Sequence, residues 1–250
     1  MGGLRIPNIN EERKSPAYGG AFGLCYNENM KFIFTIPDFP KFSFPAVNQV
    51  ILIIIFAEFV LGAANAFTLP VFALFIVKDL AAPVAVVGIA IAIFWIVKSI
   101  FQLPIARYLD KNHGEIDDYY SMLIGLMVIT ISQYLYYFVS SAWQIYLLQA
   151  LFALGSALYT PPFFGIFSRH VDRDKEAFEW ALWSSFSVGA GTALGSLISG
   201  ILAAIIGIRP IFLISGTFSF ICFIILIFLR PYIKPKVPRD LSQFYVQKQL

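Results

Sequence analysis

The sequence predicts an all-α membrane protein, a bundle of six transmembrane helices with both chain ends on the cytoplasmic side. Three observations carry this expectation. Of 250 residues, 58% are hydrophobic and 13% charged, where a soluble domain is about half apolar and a quarter charged; the mean hydropathy is +0.75. Six apolar runs each reach the roughly 20 residues that cross about 30 Å of hydrocarbon. The basic residues fall almost wholly in alternate connecting segments.

The first segment, residues 1–46, carries Pro7, Pro16, Pro37, Pro40 and Pro45 of the 14 prolines. Proline at this density breaks helices, and no helical apolar stripe is present, so a flexible cytoplasmic arm is expected. It holds no long apolar run, hence no cleavable signal peptide is expected, and Met30 is an alternative translation start. The opening Met1-Gly2-Gly3-Leu4-Arg5-Ile6 lacks the hydroxyl residue of a myristoylation signal. The transmembrane domain, 47–229, holds the six runs: 47–77, 84–106, 119–139, 143–167, 178–206 and 211–229. In lipid each is expected to be a helix, because a helix satisfies its own backbone hydrogen bonds. The longer runs imply tilted or protruding helices. The last segment, 230–250, with Pro231, Pro235 and Pro238 among its basic residues, reads as a short basic tail at the membrane surface. Cys25 and Cys222 fall in different environments, so neither a disulfide nor a metal site is expected.

Orientation follows from charge. With both ends inside, fifteen of the 18 Lys and Arg residues lie in cytoplasmic segments, while Lys78 and Arg209 lie outside and Lys98 lies within helix 2. Positive residues mark the cytoplasmic side, which predicts a multi-pass protein of the plasma (inner) membrane.

An internal repeat underlies the runs. Helix 1 ends with Thr68-Leu69-Pro70-Val71-Phe72-Ala73-Leu74-Phe75, and helix 4 with Thr160-Pro161-Pro162-Phe163-Phe164-Gly165-Ile166-Phe167. Both read T-x-P-x-F-x-x-F after a small-residue stretch. Helices 1 and 4 then head two three-helix units, and because three is odd, the second unit is inverted in the membrane. The competing explanation is coincidence within Phe-rich apolar sequence.

Glu58 and Lys98 lie deep in the apolar runs, each about eight residues, or roughly 12 Å, inside the cytoplasmic end of its helix. Equal depth on neighbouring helices predicts an ion pair, each charge offsetting the other's desolvation. Intramembrane charges usually face a polar cavity and mark a pathway. Glu58, Gly62 and Asn65 share one face of helix 1, and Lys98 and Gln102 share one of helix 2, which makes Glu58, Asn65, Lys98 and Gln102 the candidate solute or proton pathway. The alternative is that Lys98 snorkels to the headgroups and Glu58 makes a purely structural bond. In helix 5, Gly191 and Gly195 form G-x-x-x-G, a close-packing pattern. His113 and His170 read as solvated loop residues with no catalytic partner. No P-loop, H-E-x-x-H motif or intramembrane Ser-His pair appears, so no enzyme activity, catalytic residue, metal or cofactor is expected, and no nucleic acid.

The segment between helices 2 and 3, Ala106-Arg107-Tyr108-Leu109-Asp110-Lys111-Asn112-His113-Gly114, resembles the G-x-x-x-D-R/K-x-G pattern of the major facilitator superfamily. Asp110 and Lys111 keep the acid–base pair, Ala106 replaces the first glycine, and the second glycine comes one residue late. Glu115, Asp117 and Asp118 stand where the family has basic residues. The stretch from Arg169 to Glu179 resembles the family's charged loop between helices 4 and 5. The helix 5 glycines resemble its glycine-rich motif without the usual proline. The likeness runs over about 47–229. It implies a bundle like one half of the family's fold, built as a 3+3 inverted repeat, with Asp110, Lys111 and Arg169 as cytoplasmic gate residues.

Family members usually have twelve helices, so the resemblance is to a six-helix, half-size member. Two copies pair, another half-protein supplies the partner, or the chain is a truncated product. The implied function is secondary active or facilitative transport of a small solute by alternating access, with protons as a candidate co-substrate and a dimer of half-transporters as the working unit. The competing class is a non-transporting membrane scaffold or assembly partner.

Overall fold

The computed structural model describes residues 46–112 and 114–233, and these build six long helices. Helix α1 is Gln49–Leu74, continued by a π-helical turn, Phe75–Asp79. Helices α2, α3 and α4 are Val84–Asn112, Ile116–Tyr136 and Ala142–His170. Helix α5 is Glu176–Ile206 with a π-helical stretch, Ser184–Ala190, in its middle. Helix α6 is Arg209–Ile227, and a single 3-10 turn, Arg230–Tyr232, follows it. The predicted arm up to Pro45, with Cys25, and the tail beyond Ile233 lie outside the described residues, as does His113.

Local chemistry sets the helix ends. The Asn48 side chain accepts from Val50 N at 3.0 Å and caps α1. Gln144 Oε1 accepts from Ser140 N at 2.8 Å and Ser141 N at 3.2 Å, which closes the start of α4 by tying up backbone donors that a helix leaves free. Gly207 ends α5 at φ +86°, a conformation only glycine adopts without strain, and Pro210 sits in the first turn of α6, where its missing N–H costs nothing.

The chain is a multi-pass membrane protein, and its described residues are all-helical. Among them, five helices are long and apolar enough to cross a bilayer: α1 with its π turn, α2, α4, α5 and α6. Helix α3, 21 residues long, is more polar, with Ser121, Thr130, Ser132, Gln133 and four tyrosines. Part of that polarity is absorbed internally, since Thr130 Oγ1 donates to Leu126 O at 2.8 Å and Ser132 Oγ to Val128 O at 2.7 Å.

Two expectations are corrected at the helix ends. Asp110 and Lys111 lie on the last turn of α2, and Arg169 and His170 on the last turn of α4, rather than in loops. An apolar run stops where hydrocarbon stops, but nothing in 107–112 or 168–170 breaks a helix. His170 is buried rather than solvated, with Nδ1 3.0 Å from Ile166 O and 3.7 Å from Glu115 Oε1.

The helices pack in the spatial order α2–α4–α3–α6–α1–α5, and α1 makes no substantial contact with α2. Between helices in lipid there is no hydrophobic drive, so close packing and interhelical hydrogen bonds must hold them. Both are present. A Cβ on Gly125 would lie 2.6 Å from Gly155 O, and one on Gly195 2.6 Å from Ala63 O, so α3 meets α4, and α5 meets α1, backbone to backbone. Gly191 likewise presses on Phe59, which is the close approach that G-x-x-x-G predicts. Serine hydroxyls tie neighbouring helices together: Ser187 to Ile55 O at 2.9 Å, Ser215 to Ala64 O at 2.7 Å and Ser121 to Leu158 O at 2.9 Å. At the end of the bundle away from Arg169 and His170, Arg209 donates to Tyr137 O at 3.1 Å and Val139 O at 2.9 Å and lies 3.6 Å from Asp79, so it ties the start of α6 to the ends of α3 and α1.

Candidate functional site

A cavity of about 690 Å³ lies among the helices, lined mainly by α1, α2, α4 and α5, with α3 contributing Ile129, Gln133 and Tyr136. The face of α1 that carries Glu58, Gly62 and Asn65 opens onto it, as the i, i+4, i+7 spacing predicts. Gly62 has a particular task there. A Cβ at this position would come within 2.6 Å of Ser187 O, so only glycine lets the π-helical stretch of α5 lie against α1. A π turn holds one residue more than an α turn and recurs at functional sites. Here it starts directly after Trp183 and ends at Ala190, and both Trp183 and Ser187 line the cavity.

Among the described residues, Glu58 is the only acidic one on the wall. Its Oε1 accepts a short hydrogen bond from the Tyr159 hydroxyl of α4, and its Oε2 accepts from Trp183 Nε1 of α5 at 3.3 Å. Three helices thus converge on one carboxylate. Tyr159 stacks on Phe163, whose ring centroid lies 5.6 Å from that of Trp183, so packing holds both donors in place.

Lys98 also lines the cavity, from α2, with its ammonium 5.8 Å from the Phe94 ring centroid and 5.4 Å from that of Trp95. An ammonium at that range is attracted by the ring quadrupole. Among the described residues no ion pair joins it to Glu58, which corrects the expected pairing. Matched depth brings two charges together only if their helices are neighbours, and α2 packs on α4 while α1 packs on α5 and α6. Of the other pathway candidates, Asn65 is on the cavity wall, whereas Gln102 is half-buried on α2 and not among the lining residues. No three His, Cys, Asp or Glu side chains among the described residues come together to hold a metal ion.

The three gate candidates separate. Asp110 and Lys111 are exposed at the end of α2. Arg169, at the end of α4, holds Asp118 in the first turn of α3 at 2.5 Å, with side chains 38% and 2% exposed. Gly165 leaves room for this pair, since a Cβ there would lie 3.3 Å from Arg169 Nη2 and 3.7 Å from Asp118 Oδ2. Asp118 precedes the apolar run of its helix. Burial pushes its carboxyl above the usual range, the Arg169 hydrogen bond and charge pull it back, and the Asp117 and Asp110 charges push it up again. The asymmetry of burial yields a prediction. Arg169→Leu leaves the buried Asp118 without its partner and is expected to cost about 1–3 kcal/mol, more than Asp118→Asn, which leaves a guanidinium that water still reaches. Thermal unfolding of the two variants checks the order.

Sequence reasoning missed Tyr159, Gln133 and Tyr136 on the wall, and it noted Asp118 only as a departure from a pattern; of Trp180, Trp183, Ser184 and Ser187, which precede the helix 5 glycines as weaker cavity candidates, Trp183 and Ser187 line the cavity. The one available signal was positional, namely that Asp118 and Arg169 stand just outside apolar runs on the same side.

The sequence model of the Major Facilitator Superfamily matches residues 54–248. A multidrug resistance protein MdtG from Proteus mirabilis is 28% identical over 187 residues, 72% of this chain and 44% of that protein. Another MdtG, from Rahnella, is 33% identical over 106 residues, 42% of this chain and 25% of the relative. In fold, the chain is similar to the POT family transporter PepTSo, with a TM-score of 0.60 at 18% identity, covering 78% of this chain and 40% of that one. The chain thus spans less than half the length of these relatives.

Proposed function

The chain belongs to the major facilitator superfamily, a family of transporters rather than enzymes, and we propose that it moves a small organic solute across the plasma membrane by alternating access, as one six-helix unit working against a second. The carrying observation is the cavity itself, where one carboxylate and one ammonium stand in an aromatic wall within a membrane-spanning bundle. Buried ionisable groups that line a cavity mark a transport path. Glu58 is the proton site in this reading, Lys98 and Asn65 contact the solute, Gln102 stands behind Lys98, and Asp110, Lys111 and Arg169 serve the cytoplasmic gate. The relatives' name, multidrug resistance protein, and the aromatic wall both favour an amphiphilic organic solute.

The proposed 3+3 inverted repeat draws support from the packing order. Exchanging α1 with α4, α2 with α5 and α3 with α6 turns α2–α4–α3–α6–α1–α5 into its own reverse, as a two-fold relation between two three-helix units requires. The repeated motif behaves alike in both copies: Thr68 and Phe72, like Thr160 and Phe164, line the cavity, while Phe75 and Phe167 are fully buried. The second unit, a copy of this chain or another half-protein, would cover α2 and α5. These end the packing order and expose Ile96, Ile100 and Leu103 on one and Leu197, Ile201 and Ile205 on the other.

With six crossings and both ends inside, reporters placed at Gly114 and after Leu250 are expected in the cytoplasm, and reporters at Ser140 and Gly207 outside. Gly114 and Ser140 on one side would contradict six crossings. The transport proposal is tested by uptake into liposomes holding the purified chain, screened across solute classes and paired with crosslinking. Uptake by a two-copy species is expected. Full uptake by a monomer contradicts the paired unit, and a scaffold would show no uptake and tolerate Glu58 and Lys98 substitutions.

A further inference from the structure

The cavity has a second polar pole that the transport reading leaves unused. Gln133 and Tyr136 stand on the last turn of α3, three residues apart and so on one face, and both line the cavity. Both are buried, at 2% and 4% exposure, yet Gln133 Oε1 and the Tyr136 hydroxyl have no hydrogen-bond partner among the described residues. Buried polar atoms are nearly always paired, and an unpaired one calls for an explanation. Packing holds the phenol in place. The Tyr136 ring stacks on Phe212 at 5.1 Å and meets Phe72 edge-on at 6.1 Å. Gln149, on α4, adds a second carboxamide to the lining, with 8% exposure. No charged side chain of α3 lines the cavity. By helix rise Gln133 lies about 12 Å further along the bundle than Glu58, counting from the starts of α3 and α1.

We propose that Gln133 and Tyr136 form a subsite for an uncharged hydroxyl or amide group of the transported solute; this rests on reading the cavity as the solute path. The chemistry of the pair selects the group. A carboxamide oxygen accepts and a phenol donates, so together they match a group that both donates and accepts, as a hydroxyl or a primary amide does. An anion would place like partial charge against Gln133 Oε1. A cation would find its counter-charge at Glu58 instead. A site that hydrogen-bonds a solute hydroxyl rejects the analogue lacking it, because its own polar atoms are then left unpaired.

The test uses the purified full chain in lipid nanodiscs and three naphthylethylamine probes that differ only at the end of a short alkyl chain: hydroxyl, primary amide or methyl. Trp95 and Trp183 line the cavity, so tryptophan fluorescence reports binding. The hydroxyl and amide probes are expected to bind about tenfold tighter than the methyl probe. Gln133→Leu and Tyr136→Phe should each bring that ratio close to one without weakening the methyl probe, and should melt no lower than the parent, since each removes an unpaired buried group. Equal affinity of the parent chain for all three probes overturns the subsite while leaving the cavity reading in place, and so does an unchanged ratio in both variants. No binding of any probe overturns the cavity reading, and the subsite with it.

Discussion

Glu58→Gln is expected to reduce uptake to background and to remove its dependence on pH, because no other acidic residue among those described lines the cavity. The geometry makes the prediction specific. The carboxylate takes two donors at once, the Tyr159 hydroxyl on one oxygen and Trp183 Nε1 on the other, whereas a carboxamide offers one acceptor oxygen and sets an NH2 group against the second donor. Interaction should therefore appear between Glu58 and Tyr159, where a double-mutant cycle with Tyr159→Phe is expected to show a coupling of about 1–3 kcal/mol. Between Glu58 and Lys98, which share no contact, stability losses should add to within about 0.5 kcal/mol. Thermal unfolding of the single and double variants, run beside an uptake assay at several pH values, reads both outcomes. Uptake by Glu58→Gln with an ordinary pH profile would remove this residue from the mechanism. Strong coupling to Lys98 would contradict the separation of the two charges.

Gly125→Val is expected to prevent folding, or to cost about 3 kcal/mol or more, at the upper end of overpacking penalties. An added Cβ would meet Gly155 O at 2.6 Å, Tyr159 N at 2.7 Å and Leu158 C at 3.0 Å, and all three are backbone atoms of α4. No rotamer change relieves such contacts, so α3 and α4 would have to separate. Tyr159, the donor to Glu58, sits on the displaced turn, which means that any folded remnant should also bind solute poorly. Gly88 and Gly200 provide the controls. Nothing lies within 4 Å of a Cβ at either position, and alanine there should change thermal stability by no more than about 1 kcal/mol, the scale of helix propensity. Size-exclusion profiles and melting curves of the three variants decide the matter, and a monodisperse, normally melting Gly125→Val protein would refute the close-packing argument.

Much of this protein is a property of the chain alone. Helix positions were legible because the hydrocarbon core imposes a length and a polarity on every crossing, whatever its neighbours do. The runs 84–106 and 178–206 accordingly fall inside α2 and α5. The G-x-x-x-G pattern at Gly191 and Gly195 announced a close approach, and the charges at Glu58 and Lys98 announced a cavity, because hydrocarbon tolerates neither unpaired polarity nor bulk between touching backbones. What the sequence lacked was the identity of neighbours. Periodicity tells which face of a helix is special but not which helix it meets, and in a bundle with the packing order α2–α4–α3–α6–α1–α5 consecutive helices are often apart. That is why the inferred Glu58–Lys98 pair is absent, why Tyr159 and Trp183 take its place on Glu58, and why the unpaired Gln133 and Tyr136 came to light only with the tertiary structure. Composition and spacing determine that a chain crosses the membrane and where it turns, because each helix satisfies those demands by itself; which side chains share a cavity depends on contacts between helices distant in sequence, and only packing decides them.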